Sequence, residues 1–345
     1  MKVAIAGLGS IGQRHARNLR RLLGARLELL AYRTRGFPHV ITDQMTIAEG
    51  QTVETAYGVR VFDNLDALLA EQPVALLVCN PTSLHLPTAL AAARAGCHLL
   101  IEKPLSDSYD GVDDLIALIE QRGLVAAVGY QMRCHPALIR LRTLISQGAV
   151  GRVVSVRAEM GEYLPDAHPY EDYRQSYAAR ADLGGGVIRC FIHEFDYVQW
   201  LFGPARHVIT VGGRLGDLEI DVEDTATTDM QCCVNGHPVS VQVHQSFVQR
   251  ARSRTCVVTG DAGAIHVDLN APTLTWTDAA GRVVEQSGFA GFARNHLFVS
   301  ELTRFLATIA GDGPPPASVH EAALSLRVAL AARASLASGQ RVECP

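Results

Sequence analysis

Aromatic residues make up only 6% of the chain, and no apolar run approaches the roughly eighteen residues that a bilayer span needs. The longest strand-like stretches, such as Val74 to Val78, are core-sized, so no membrane partner is expected. Charge of one sign is also scarce. A net charge of −4 over 345 residues gives no electrostatic footprint for nucleic acid or an acidic lipid surface. The eight cysteines (79, 97, 134, 190, 232, 233, 256, 344) are scattered without a C-x-x-C pair, which argues against a disulfide framework or a zinc site. No charged leader with an apolar stretch and a cleavage site precedes the first β-run, Met1 to Gly7, so a cytoplasmic location is expected. The composition that remains, 48% hydrophobic and 19% charged with 30 Gly and 15 Pro, is that of a globular protein, and the length fits two domains.

Up to about residue 130 the pattern alternates. Short apolar runs (Val3 to Ala6, Leu27 to Ala31, Val74 to Val78, His98 to Ile101, Val125 to Val128) are separated by helical stretches at Gly12 to Leu23, Asn64 to Ala70, Leu86 to Ala95 and Asp107 to Gln121. Strands of four to six residues interleaved with helices predict βαβ units and a parallel, doubly wound sheet. Beyond residue 150 strand follows strand: Gly151 to Tyr163, His207 to Arg214, Asp224 to Val234, Pro238 to Val248, Ser253 to Thr259, Ala264 to Leu269 and Thr273 to Thr277. Turn residues such as Asn235-Gly236 lie between them, which predicts a large, mainly antiparallel sheet. Helices are expected at Pro136 to Gln147, Gly186 to Phe202, Ala293 to Ala310 and from Val319, where Ser318 and Glu321 form a capping-box pattern. The fold class is therefore α/β: a dinucleotide-binding domain over residues 1–128, then an α+β domain over 129–345. The last helix, 319–337, is a candidate to pack back on the first domain.

Gly7-Leu8-Gly9-Ser10-Ile11-Gly12 follows the first strand and opens the first helix. Glycines there allow a tight turn and a close approach to a pyrophosphate, which the helix N-terminus attracts. Gly7, Gly9, Ser10, Ile11 and Gly12 are thus candidate dinucleotide ligands. About twenty residues on, a carboxylate for the ribose hydroxyls of NAD is expected, but the chain reads Ala31-Tyr32-Arg33-Thr34-Arg35. Arg33, helped by Thr34 or Arg35, suits a 2′-phosphate, so NADP(H) is favoured over NAD(H); the plain alternative is that these arginines are solvated surface charges. Asn80, Pro81, Thr82 and His85 follow one strand and Glu102-Lys103-Pro104 another, both at C-terminal strand ends where ligands bind in this architecture.

A third constellation runs from Gly184-Gly185-Gly186 through Arg189 and His193 to Trp200. As one helix, Ile188, Phe191, Phe195 and Val198 make its buried stripe, and Arg189, His193, Asp196, Tyr197 and Trp200 share another face.

In their order and spacing, the N-terminal GLGSIG, Glu102-Lys103-Pro104, Gly129-Tyr130 and the triple glycine leading to His193 resemble the glucose-fructose oxidoreductase / inositol dehydrogenase (Gfo/Idh/MocA) family. The resemblance covers essentially the whole chain. It implies a Rossmann domain, a second domain whose open sheet forms oligomer contacts (a homodimer or homotetramer), and Lys103 and His193 beside the nicotinamide. One departure stands out: the family's usual Asp four residues before the histidine is Arg189 here. Guanidinium is donor-only, so it cannot accept from a sugar hydroxyl, but it can hold a carboxylate or phosphate. The preceding segment, with Tyr163, Arg174 and Tyr177, is long enough for a substrate loop, and it also resembles relatives linked to bacterial surface-sugar and sialic-acid-like pathways.

The expected function is hydride transfer between a nicotinamide and a hydroxyl or carbonyl carbon of a sugar, cyclitol or acidic sugar derivative, the last leaving an anionic substrate open. His193 would serve as acid/base and Lys103 as oxyanion stabiliser or proton donor, with Arg189, Tyr163, Arg174, Tyr177 and Asp196 around the substrate. Arg189 is expected to lower the His193 pKa by repulsion. The competing readings are an enzyme that retains its cofactor and uses transient oxidation, and a dinucleotide-binding sensor without turnover. No metal site is expected, because His168, His193 and Glu194 lack a recognisable ligand spacing.

Overall fold

The computed structural model describes residues 1–34, 39–42 and 45–344; Arg35 lies outside them. In the first half, β1 (Lys2–Ala6), α1 (Ser10–Leu23) and β2 (Glu28–Tyr32) are followed by a small hairpin, β3 (Val40–Ile41) with β4 (Ile47–Ala48). Then come α2 (Val53–Tyr57), β5 (Val59–Phe62), α3 (Leu65–Leu69), β6 (Ala75–Val78), α4 (His85–Arg94), β7 (His98–Ile101), α5 (Val112–Arg122) and β8 (Ala126–Val128). The main sheet runs β5-β2-β1-β6-β7-β8, with every pair parallel. The central strands β1 and β6 are buried along nearly their whole length, which is why they read as continuous apolar runs. The strand order reverses between β1 and β6, and the crevice at their C-terminal tips is where this architecture takes a ligand. Sequence patterning missed β5 because Val-Arg-Val-Phe is a half-exposed edge strand with no clean period.

The second half contains α6 (Pro136–Ser146), β9 (Val153–Tyr163), α7 (Leu164–Ala167), α8 (Val187–Cys190) and α9 (His193–Phe202). It continues with β10 (His207–Gly213), β11 (Thr225–Val234), β12 (His237–Ser246), β13 (Val248–Gly260), β14 (Gly263–Asp268), β15 (Thr273–Asp278) and β16 (Val283–Gly288). The chain ends with α10 (Asn295–Ile309), α11 (Val319–Ser338) and β17 (Val342–Glu343). The nine-stranded sheet runs β16-β15-β14-β13-β9-β12-β11-β10-β17 and is antiparallel except at β9 and β12. The capping box at Ser318 forms as the sequence predicts, with Glu321 answering the Ser318 backbone N–H. The two halves interlock. Leu302 and Phe305 of α10 join the apolar layer that α1 makes against the parallel sheet, and Val128 donates to the Ala317 carbonyl at 3.0 Å where α11 begins.

One expectation needs correction. The stretch from Gly186 to Phe202 is not a single helix: it breaks at Phe191 (φ −102°, ψ 34°) between α8 and α9. The cause lies outside the segment. Lys103 Nζ takes the Cys190 carbonyl at 2.8 Å and Gln245 Nε2 takes the Phe191 carbonyl at 2.7 Å, acceptors that a continuous helix would have used. Arg189 and His193 are therefore not stacked one turn apart on a common face.

Candidate active site

The crevice starts at the glycine-rich turn. Gly7 has φ +95°, and a Cβ there would press on the Cys79 carbonyl at 2.7 Å; one on Gly12 would drive into the Gly7 carbonyl. Gly9 is different, because a Cβ there meets nothing within 4 Å. Its missing side chain leaves open space over the start of α1. That helix begins with no side-chain cap and no acidic residue in its first turn, so its N–H groups and positive end remain available to an anion. The pyrophosphate of a dinucleotide fits these features. Ile11 is half-buried beside the turn, and the Tyr170 hydroxyl, from the loop after α7, bonds Ser10. Burial pushes the Tyr170 phenol up to about 12.

At the end of β2, Arg33 is ion-paired with Glu54 of α2 at 2.5 Å, while Thr34 is exposed. The carboxylate missing from the end of β2 is thus supplied from twenty-one residues downstream, and it neutralises the arginine. At the tip of β6, Asn80 donates to Thr88 at 2.9 Å, and its Oδ1 is buried without a partner among the described residues, an acceptor left over for a ligand. Pro81 starts a short turn in which Thr82, 2% exposed, packs against Gly184. His85 does not face the crevice: its two ring nitrogens are taken by the Asn80 and Pro104 carbonyls at 2.8 and 2.7 Å, so it pins two strand-tip turns together.

After β7, Glu102 is buried on Gly129 and bonded to His15 Nε2 at 2.8 Å, a support beneath Lys103 rather than a free ligand. Lys103 reaches across to the Cys190 carbonyl. His193, 5% exposed, opens α9, with its ring edge-on to Tyr130 at 5.9 Å and Nδ1 without a partner among the described residues. Its pKa lies well below the usual histidine value, first because of burial and then because Lys103, Arg254 and Arg294 stand near it. The expected direction is right, but the expected cause is corrected, since Arg189 is not among the groups responsible.

Arg189 is 3% exposed and gives its guanidinium to the Gly185 carbonyl at 2.7 and 3.0 Å and to the Asp107 carbonyl at 3.5 Å. It staples the triple-glycine loop and is not presented as a carboxylate clamp. Asp196 is likewise removed from the substrate set. Fully buried, it is held by both arms of Arg133 at 2.7 and 2.9 Å, where bonding can offset desolvation. Arg174 is a surface residue bonded to Asp172 and Glu219. The Tyr177 phenol lies against the Cys190 thiol, next to the carbonyl that Lys103 bonds, whereas the Tyr163 ring carries Arg250 stacked on it at 3.5 Å.

Residues 1–130 match the family model described as an oxidoreductase family with an NAD-binding Rossmann fold, and residues 138–266 match the GFO/IDH/MocA C-terminal domain. The chain belongs to the Gfo/Idh/MocA oxidoreductase family. Among relatives, it is 27% identical to 1,5-anhydro-D-fructose reductase of Ensifer adhaerens, over 88% of this chain and 90% of that one. It is 25% identical to myo-inositol 2-dehydrogenase of Thermotoga maritima, over 99% and 98%. The WlbA dehydrogenase of Bordetella pertussis, solved with NADH and UDP-GlcNAcA, shares the fold with TM-score 0.80 at 22% identity, covering 100% of this chain and 99% of that one. No described helix is long and apolar enough to cross a membrane, and the described residues contain no cluster of three metal-ligating side chains.

In this Gfo/Idh/MocA chain, sequence reasoning passed over Glu54, Tyr170, the Cys190 carbonyl, and Arg254 and Arg294 beside His193. One signal was readable: arginine at alternate positions, 250, 252 and 254, running from the gap between two expected strands into the one that starts at Ser253.

Proposed function

We propose that this oxidoreductase transfers hydride between NADP(H) and a hydroxyl or carbonyl carbon of a sugar, cyclitol or acidic sugar derivative, with Lys103 and His193 at the reacting oxygen. The observation that carries this reading is the link from Lys103 Nζ to the Cys190 carbonyl, which ties the strand-tip ammonium to the turn that begins the His193 helix. A nicotinamide bound along the strand tips supplies the hydride acceptor or donor. Gly9 and the start of α1 would hold its pyrophosphate, Arg33 a 2′-phosphate and Asn80 Oδ1 a donor on the cofactor. One Lys103 N–H is spent on Cys190, leaving two for the substrate oxygen, where they stabilise negative charge as it develops. His193 is neutral because burial and three cations disfavour its protonation, so in oxidation it accepts the hydroxyl proton as the hydride leaves carbon, and in reduction it returns it. The relatives' names, a reductase of an anhydro-sugar and a dehydrogenase of a cyclitol, support the substrate class.

The outer face of the large sheet exposes Val154, Ile209 and Val211, a surface suited to pairing with a second copy in a homodimer or homotetramer. The catalytic reading is tested with His193→Asn and Lys103→Ala on a substrate found by screening sugars and cyclitols. Each should lower kcat by about 10²–10⁴-fold while leaving coenzyme affinity intact. Because the depressed pKa keeps the imidazole neutral at lower pH, kcat/KM for oxidation should show no break near pH 6.5 and should fall only below it. Unchanged turnover in both variants would overturn the assignment.

A further inference from the structure

Helix α10 buries a carboxyl group that the proposed hydride transfer does not use. Glu301 is 0% exposed, and neither of its carboxyl oxygens has a hydrogen-bond partner among the described residues. A lone carboxylate is costly in such surroundings, so the group must be paired or neutral. The helix lies antiparallel to α1: Asn295 and Asn18 exchange hydrogen bonds at 2.9 and 3.2 Å, and one turn along each helix Phe298 stands edge-on to the His15 ring at 6.1 Å. Glu301 is the next step of α10 in that direction, just before Leu302, which shares an apolar layer with Ile11 of α1. Helical side chains lean towards the N-terminus of their own helix, so on antiparallel neighbours His15 and Glu301 lean towards each other.

His15 is fully buried too, and its two ring nitrogens differ. Nε2 lies 2.8 Å from Glu102 Oε1, whereas Nδ1 has no partner among the described residues. Burial would raise the Glu102 carboxyl, but the bond from His15 and the charge of Lys103 hold it below the usual carboxylate value. An ionised carboxylate only accepts, so Nε2 carries the proton in that bond and Nδ1 of the neutral ring is left as an acceptor. The other Glu102 oxygen accepts the Lys103 backbone N–H at 3.3 Å. A third acceptor comes from the turn Gln131–Cys134, which also packs on α10: Gln131 Oε1 is buried and unpartnered among the described residues. These elements thus offer unmet acceptors and no donor, and a proton on Glu301 supplies one. Burial pushes the Glu301 carboxyl well above the usual range, and Glu102 and Asp196 add to the shift while Arg304 and Arg133 oppose it. The Cys79 and Cys134 thiols also feel its charge.

We propose that Glu301 is held as the neutral acid and donates through one buried water to His15 Nδ1, so that Glu301, His15 and Glu102 form a hydrogen-bonded chain that fixes the Glu102 carboxylate beneath Lys103. The protons balance. The acid O–H donates to the water, the water donates one hydrogen to Nδ1 and the other to Gln131 Oε1, and Nε2–H donates to Glu102, which keeps the chain's one negative charge. Three hydrogen bonds are the ordinary complement of a buried water. Glu102 in turn holds the backbone from which the Lys103 side chain reaches the Cys190 carbonyl. Glu301 is therefore a positioning residue, acting through His15 and Glu102. The inference rests on the proposed hydride transfer for the role of Lys103, but the place of the proton is read without turnover.

Infrared spectra of the full chain at neutral pH, wild type minus E301Q, should show the carbonyl band of a protonated carboxylic acid; the difference removes every other buried acid. Nitrogen NMR of histidine-labelled protein should show His15 neutral with its proton on Nε2 in both forms. In turnover, E301Q keeps a donor in its amide and should retain kcat within twofold with an unshifted pH profile. E301L has similar bulk and no donor, and should lower kcat about tenfold while KM stays within twofold. Absence of the acid band, or a doubly protonated His15, would overturn the chain. E301L as active as E301Q would reduce Glu301 to packing and overturn its positioning role. Should E301L not fold, a tenfold loss of kcat in E301Q would overturn that role, and retained kcat with the acid band would support it. No turnover of any sugar or cyclitol by the wild type would instead count against the hydride-transfer reading, with the infrared and NMR results still deciding the chain.

Discussion

Two glycine-rich segments flank the crevice and use the missing side chain for opposite ends. At Gly9 the space where a Cβ would stand is open and faces the start of α1. At Gly184, Gly185 and Gly186 the protein itself fills that space: Thr82 presses on the first, the carbonyls of Tyr177, Ala178 and Arg180 on the second, and the Glu223 carboxyl on the third. A run of glycines therefore signals close approach without saying what approaches. In the proposed reading the group that approaches Gly9 is a ligand; at the triple glycine it is the chain's own backbone and side chains, packed just before the residues that lead to His193.

This contrast can be broken by substitution. Gly185→Ala puts a methyl against three carbonyls and should displace the start of the His193 segment, lowering kcat/KM by about 10²-fold, the scale of a 1 Å misplacement, with coenzyme affinity within twofold. Gly9→Ala should do the reverse. Its backbone (φ −69°, ψ −170°) suits alanine and its Cβ meets no protein atom, so thermal unfolding should be unchanged while the Kd for NADPH rises about tenfold, the cost of losing roughly 1.4 kcal/mol of pyrophosphate contact. If both variants weakened coenzyme binding equally, the two segments would not differ as described. The smallest effect is expected at the adenine end, where Glu54 competes with a 2′-phosphate for Arg33. Glu54→Gln should raise the NADPH-to-NADH affinity ratio by a few-fold, and an unchanged ratio would remove Arg33 from the coenzyme site.

The first half was largely legible because its determinants are local. Four-residue apolar runs and the turn after β1 act through neighbours in sequence, as does the capping box at Ser318 in the second half. The second site was legible in its residues but not in its geometry. Arg189 and His193 look like one helical turn until Lys103 and Gln245, from distant strands, capture the carbonyls between them. Asp196 reads as a pocket acid, and only Arg133 arriving from beyond β8 shows it to be half of a buried ion pair. Glu54 escaped because its pairing with Arg33 depends on how α2 packs beside β2, which no local pattern encodes. Where a side chain's role is set by tertiary partners, sequence named the residue and missed the job.

The account depends most on where the coenzyme lies, and a crystal structure with NADPH bound tests that directly. It should show the pyrophosphate on the amides that follow Gly9 and the nicotinamide ring between Lys103 and His193, with its reactive carbon facing the crevice. A pyrophosphate held elsewhere, or a nicotinamide ring out of contact with both side chains, would contradict the account.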